Sequence, residues 1–258
     1  MEVSAFAHIN ANVTCLIQPG KRHLSQAIEC EDTTFFIETP TLRYYGLADG
    51  QSGKQYCKIG GESVLKSIAS YIKGKGLTQL HSYGHTDEIQ YEITKLMRCI
   101  ISELSVKHSA KAAEFSSTVV VFALNPQTRE YMYVHLGDGG IIGKKRSNSL
   151  SLISAPENGI TTQYTWLTTS LNALLHLKVG FGNIDYYDRI LLFTDGASAI
   201  CRGKNIPKAA SRLILGENNH DDIARYIEQS NPHDDASCII IDFEKSEKGI
   251  SPNISDSY

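Results

Sequence analysis

The spacing of apolar residues changes character along this chain. In the first fifth it is short-range. Residues 3–9 (VSAFAHI) and Val13–Gln18 flank Asn-Ala-Asn, a hairpin-type turn, and residues 33–37 (TTFFI) and Arg43–Ala48 form a second pair of strands divided by Pro40. The period then becomes helical. Val64, Leu65, Ile68, Ala69 and Ile72 fall on one face. The polar, glycine-bearing stretch KGKGLTQLHSYGH, residues 73–85, reads as a loop. Thr86 is expected to cap a second helix, with Asp87 and Glu88 in its favourable first turn and Ile89, Ile93, Leu96, Met97, Ile100 and Leu104 as its buried stripe. Strands resume in STVVVFAL (117–124), turn at NPQTRE (125–130), and continue in YMYVHLG (131–137). Residues 165–169 (TWLTT), 171–179 (LNALLHLKV) and 189–194 (RILLFT) are further strand candidates. Short helices are expected over 196–201, 207–215 and 221–229, and SCIIIDF (237–243) closes the domain as a strand. Strands, two long helices, then strands and short helices do not alternate regularly. The pattern predicts an α+β fold with mainly antiparallel sheets, in one domain over residues 1–245, followed by a polar tail at 246–258 expected to be disordered.

Composition narrows the function classes. A chain of 258 residues is long enough to bury a substantial core. A formal net charge of −3 gives no electrostatic basis for binding nucleic acid or an anionic membrane. No apolar run approaches the roughly 18 residues of a bilayer span, and the N-terminus lacks the basic and apolar regions of a signal peptide, so a cytoplasmic protein is expected. The six cysteines (15, 30, 57, 99, 201 and 238) show no C-x-x-C spacing. They read as buried free thiols in a reducing compartment.

The candidate chemistry lies where strands begin or end. Asp49-Gly50 follows the apolar end of YYGLADGQSG, Asp138-Gly139 ends YVHLGDGG, and Asp195-Gly196 ends ILLFTDGA. Asp234-Asp235 precedes SCIII, and Glu31-Asp32 precedes TTFFI. Taken singly, each is an ordinary turn or a solvated acid, and Asp138-Gly139 alone reads best as a hairpin turn. Taken together they suggest more. Strand ends of one sheet converge, and converging carboxylates raise one another's pKa. They are best accommodated around a hard cation such as Mg²⁺ or Mn²⁺. A glycine after the acid lets backbone approach closely.

In this order the motifs resemble those of the metal-dependent, type 2C serine/threonine protein phosphatases. CEDTTFFI is similar to the family's first acidic motif, GLADGQSG to its Asp-Gly motif, and STVVVFAL with YVHLGDGG to its central strand pair. DRILLFTDGAS and DDASCIIIDF are similar to its last two acidic motifs. GKRHLSQAIECED and APENGITTQYTWLTT further resemble a bacterial branch. The resemblance implies two packed antiparallel β-sheets flanked by helices, a four-layer αββα arrangement, with two Mn²⁺ or Mg²⁺ ions at one end and in some members a weaker third. It implies that Asp49 bridges both ions and that the Gly50 carbonyl ligates one. Asp195 and Asp234 would hold one ion, and Glu31 with Asp32 the other, directly or through water. Asp138 would serve the third ion. Asp235 stands where Asn is usual and would support the ligands. The implied catalytic acids are Asp49, Asp195 and Asp234. The implied reaction is hydrolysis of phosphoserine or phosphothreonine by a metal-activated water, without a covalent enzyme intermediate. The implied partners are a phosphorylated protein and a cognate Ser/Thr kinase, with the protein itself a monomer.

Two positions depart from the family pattern. Ala27 stands where many members carry a phosphate-gripping arginine, with Arg22 and Arg43 as possible replacements, and Gln51 stands where many carry histidine. These departures motivate the alternative of a weak or inactive phosphatase-like protein that binds and regulates a partner. His23 and His233 lie near the acids in sequence and could assist them, and they read at least as well as surface or supporting residues. His81 and His85 have a metal-compatible i,i+4 spacing set in a loop, and Trp166 reads as core. GQSGKQ fails the phosphate-loop pattern at Ala48 and Gln55.

Overall fold

Alternation along the strands builds the molecule in layers. The computed structural model describes residues 5–10, 12–159, 164–197, 227, 229 and 232–243. In chain order these form β1 (Ala5–Asn10), β2 (Val13–Gln18), α1 (Lys21–Gln26), β3 (Thr33–Glu38), β4 (Arg43–Ala48), α2 (Cys57–Lys75), α3 (Leu77–Tyr83) and α4 (Thr86–His108). β5 (Val119–Leu124), β6 (Glu130–Leu136), β7 (Gly140–Lys145), β8 (Leu150–Ser154), α5 (Ala173–His176), β9 (Lys178–Asn183), β10 (Tyr187–Phe193) and β11 (Ala236–Asp242) follow. One sheet has six strands in the order β1-β2-β11-β10-β7-β8, and the other has five in the order β3-β4-β5-β6-β9. Every neighbouring pair is antiparallel.

β5 shows how the layers arise. Val119, Val121 and Ala123 pack with Val64, Leu65, Ile68, Ile89, Ile93 and Met97 of α2 and α4. Val120, Phe122 and Leu124 point the other way, into a cluster with Val13, Ile190, Leu192, Ile239 and Ile241 of the six-stranded sheet. β10 and β11 repeat the alternation: Leu191, Phe193, Cys238 and Ile240 face outward, where Ala197 and Ile227 cover them. The five-stranded sheet is thus buried on both faces, which explains why β5 is apolar throughout. Tyr44 sits fully buried in β4 because its hydroxyl donates to the Leu65 carbonyl of α2 at 2.8 Å.

The expected sandwich is present, with local corrections. The supposed loop at 73–85 contains α3, held by Leu77 and Leu80, which are three apart and both buried. Thr86 is the first helical residue; His85 occupies the cap position, and no side chain caps the helix. The buried stripe of α4 is Ile89, Ile93, Thr94, Met97 and Ile101, so Leu96, Ile100 and Leu104 lie at its margin. Residues 165–169 make only an isolated bridge, Asn158 to Thr165. The run at 171–179 is mostly not strand: Ala173–His176 is helical and β9 begins at Lys178. The helices expected over 196–201, 207–215 and 221–229 fall almost wholly outside the described residues, as does the tail at 246–258. Of the cysteines, Cys15, Cys57 and Cys238 are buried, Cys30 is half-buried and Cys99 is exposed; Cys201 lies outside the described residues. Among the described residues no helix is long and apolar enough to cross a membrane.

Candidate metal centre

Strand register carries the acids to one end of the sandwich. Thr33 pairs with Ala48, so Asp32 and Asp49 leave the five-stranded sheet side by side. Val119 pairs with Leu136, so Asp138 emerges from β6 beside the start of β5. In the other sheet Phe193 pairs with both Cys238 and Gly140, which sets Asp195 between the start of β11 and the start of β7. Backbone bonds fix these tips. Thr118 N–H donates to the Asp49 carbonyl at 2.8 Å, Asp49 N–H donates to Thr118 Oγ1 at 3.0 Å, and Gly50 bridges to Ser117. Across the cleft Thr194 N–H donates to the Ser237 carbonyl at 3.0 Å, Ser237 N–H donates to Thr194 Oγ1 at 2.9 Å, and Thr194 Oγ1 donates to Asp32 Oδ2 at 3.0 Å. Glycine is required at two points. A Cβ on Gly50 would stand 2.8 Å from the Glu31 carbonyl oxygen, and one on Gly196 would stand 2.0 Å from the Asp235 carbonyl oxygen.

Asp49, Asp138 and Asp195 each bring one carboxylate oxygen within 4.8 Å of the other two. Asp32 is buried, and its charge is among those that raise Asp49. The electrostatic cost is visible in their protonation. Burial first, and then Asp32, Asp195, Asp138 and Asp234, push the Asp49 carboxyl far above the usual range. Burial, and then Asp138 and Asp234, raise Asp195 to about 6. Burial is also the main cause at Asp32, raised to about 7, with Asp235 and Asp195 adding to the rise against the bond from Thr194. Asp138 and Glu31 are raised chiefly by burial. Among the described residues, no lysine or arginine forms an ion pair with Asp49, Asp138 or Asp195. Buried oxygens of Asp32 (Oδ1), Asp138 (Oδ1) and Glu31 (Oε2) make no hydrogen bond. The converging oxygens of Asp49, Asp138 and Asp195, without a cationic partner, form a donor set suited to Mg²⁺ or Mn²⁺, so the residues fit the ions that the resemblance implies.

Glu31 and Asp234 stand at the flank, tied together by residues of α1 and its approach. Asp235 accepts the Gly20 N–H at 2.7 Å, the Glu31 N–H at 2.7 Å and a bond from His23 Nδ1 at 2.8 Å. His23, Asp234 and Asp235 also approach within metal-binding range of one another. With its carboxylate engaged by three partners, Asp235 latches these chain segments together. Arg22 Nη2 lies 3.6 Å from Asp234 Oδ1 and also donates to Ser52 Oγ.

Other sequence candidates are placed elsewhere or differently. Asp138-Gly139 is not a hairpin turn, because β6 and β7 belong to different sheets and the dipeptide crosses between them. Arg43 starts β4, at the end of the strand opposite Asp49. His81 packs edge-on against Phe181 and His85 against Tyr83, so they do not form a pair. His233 is exposed. Trp166 is half-buried and stacks on His176 with ring centroids 3.7 Å apart. His23 is buried beside Asp235 rather than at the surface. No local sequence pattern marks Ser52, Thr118, Thr194 or Ser237, whose roles depend on partners distant in the chain.

The family model described as Protein phosphatase 2C matches residues 19–234. No curated protein matches the sequence. Among solved structures, the fold is similar to a bacterial serine phosphatase (14% identity, 91% of this chain and 98% of that one, TM-score 0.66). It is similar to the serine/threonine phosphatase Stp1 from Staphylococcus aureus (14%, 95% and 98%, TM-score 0.64). It is also similar to RsbX, solved in complex with magnesium (12%, 94% and 100%, TM-score 0.58).

Proposed function

The chain belongs to the protein phosphatase 2C family, and from that premise we propose that it is an active metal-dependent protein serine/threonine phosphatase. One observation carries the reading: the unneutralised cluster of Asp49, Asp138 and Asp195 over buried Asp32. A module that only binds a partner has no use for carboxylates held together at this electrostatic cost. Asp49 with the Gly50 carbonyl would help hold both ions; Asp195 and Asp234 would hold one, Glu31 and Asp32 the other, and Asp138 a weaker third. When bound, Mn²⁺ or Mg²⁺ supplies a water acidic enough to ionise near neutral pH and positive charge for the phosphoryl oxygens.

The chain's own residues do the rest. The backbone bonds at Thr118 and Thr194 hold the acids in place before any ligand arrives, so little reorganisation remains during reaction. Arg22, rather than Arg43, is the cation placed to meet a phosphoryl group, in place of the arginine missing at Ala27. Gln51 is exposed next to Gly50 and can hydrogen-bond a leaving group but cannot protonate it, so that proton comes from water. The substrate is a phosphorylated protein whose modification a Ser/Thr kinase installs, and the enzyme acts as a cytoplasmic monomer.

The test is turnover of phosphothreonine, phosphoserine and phosphotyrosine peptides in Mn²⁺, Mg²⁺ or EDTA. The reading requires metal-dependent release of phosphate from the first two. Absence of turnover under all metal conditions, with the protein folded, rejects it.

A further inference from the structure

His23 is a buried group that the chemistry above leaves without a task. It is 2% exposed, and its Nδ1 lies 2.8 Å from Asp235 Oδ1. Its Nε2 has two neighbours, Arg22 Nη2 at 3.0 Å and Glu31 Oε2 at 3.3 Å. These neighbours demand opposite states of one atom. A guanidinium only donates, so it requires a lone pair on Nε2; an ionised carboxylate only accepts, so it requires a proton there. Glu31 Oε2 makes no hydrogen bond, which leaves the bonding position at Nε2 to Arg22. The hydrogen-bond network then puts the ring proton on Nδ1, donated to Asp235.

We propose that His23 is a positioning residue: its Nδ1–H is anchored on Asp235, and its Nε2 lone pair holds the Arg22 guanidinium at the mouth of the acidic cleft, where it receives a phosphoryl group. The anchor is firm, because Asp235 is itself fixed by the Gly20 and Glu31 amides. Arg22 then has three contacts, His23, Ser52 and Asp234, on a side chain that is otherwise half-exposed and flexible. Fixing it in advance removes much of the ordering cost of gripping an oxyanion. The same arrangement leaves Glu31 Oε2 free to face a cation. The task given to Arg22 rests on the phosphatase reading; the proton position on His23 does not.

Two measurements test this. The first is the tautomer of His23, read by ¹⁵N–¹H multiple-bond NMR on metal-free and Mg²⁺-loaded protein, with His23→Gln used to assign the ring. A protonated Nδ1 and a lone pair on Nε2 are expected; a protonated Nε2 facing Glu31 overturns the proposal. The second compares wild type, Arg22→Ala, His23→Phe and His23→Gln for inorganic phosphate binding to the Mg²⁺-loaded protein by calorimetry and for the number of Mg²⁺ bound. Loss of one charge-assisted contact weakens phosphate on the order of ten-fold in Arg22→Ala and His23→Phe. His23→Gln, which retains a donor and an acceptor, recovers part of the loss, and the metal count stays unchanged. Phosphate affinity unchanged in Arg22→Ala, or a His23→Phe protein that loses a metal ion while binding phosphate normally, refutes it. Arg22 is half-exposed, so its variant folds even if His23→Phe does not. A wild type without turnover rejects the enzyme reading while leaving the NMR and phosphate measurements decisive for His23.

Discussion

Removing a charge from the acidic cleft is expected to stabilise the metal-free protein, and Asp49→Asn is the sharpest case. The substitution keeps the shape, Asn-Gly turns as well as Asp-Gly, and the backbone at residue 49 is held by Thr118 independently of the side chain. With acid oxygens within 4.8 Å of one another, a fully ionised pair at an effective dielectric near 20 costs about 3.5 kcal/mol. Partial protonation relieves part of that, leaving a net gain of about 1–3 kcal/mol on removing one charge, or about 3–10 °C in Tm for a chain of this size. The sign follows from the direction of the shifts. Folded-state values are raised, to about 7 at Asp32 and about 6 at Asp195, so the fold binds more protons than the unfolded chain. The cluster's penalty is absent below the unfolded carboxylate range near pH 4 and grows as pH rises toward and through the folded values of about 6 at Asp195 and about 7 at Asp32. Thermal melts in EDTA from pH 5 to 8 should therefore show Asp49→Asn gaining on wild type as pH rises. Added Mn²⁺ should reverse the order, because wild type binds it more tightly and gains more. A variant that is equal to or less stable than wild type at pH 8 in EDTA, and that responds equally to Mn²⁺, would make Asp49-Gly50 an ordinary turn.

Three further outcomes follow from the same geometry. Calorimetric Mn²⁺ titration of Asp195→Asn should show one weakened site, with turnover partly restored at high Mn²⁺, whereas Asp138→Asn should keep both strong sites. Thiol alkylation should leave turnover intact, since burial raises Cys15 and Cys57 to about 11 and keeps both as thiols at neutral pH; alkylation that abolishes turnover of folded protein, with a trapped phosphocysteine, would contradict this. Ala27 ends α1 with φ 55 and ψ 35, so Ala27→Gly should raise stability by about 0.5–1 kcal/mol, read as a higher denaturant midpoint at constant slope.

Much of this arrangement was legible because each site acid ends or starts an apolar run, and strand ends are where one sheet gathers residues from distant parts of a chain. Periodicity found β4, β5, β6 and the two long helices. It missed α3, where only Leu77 and Leu80 are buried in a glycine-bracketed segment. It misread 171–179, where closely spaced apolar residues imitate a strand although Leu171 is 91% exposed. Read alone, Asp138-Gly139 passes for a hairpin turn, because no local pattern reveals that the strands beside it belong to different sheets. His23 was hardest to read, since its anchor Asp235 lies 212 positions away. Neither residue type nor spacing encodes such a contact.

The central claim is that this cleft binds divalent cations and uses them to hydrolyse phosphate esters. The most direct measurement strips the protein with EDTA, removes the chelator, and titrates Mn²⁺ while following p-nitrophenyl phosphate hydrolysis and counting bound metal by elemental analysis. The account predicts no turnover in the stripped protein and turnover that rises with bound Mn²⁺ to a plateau at two or more ions per chain. Full turnover in EDTA, with no metal bound, would contradict it.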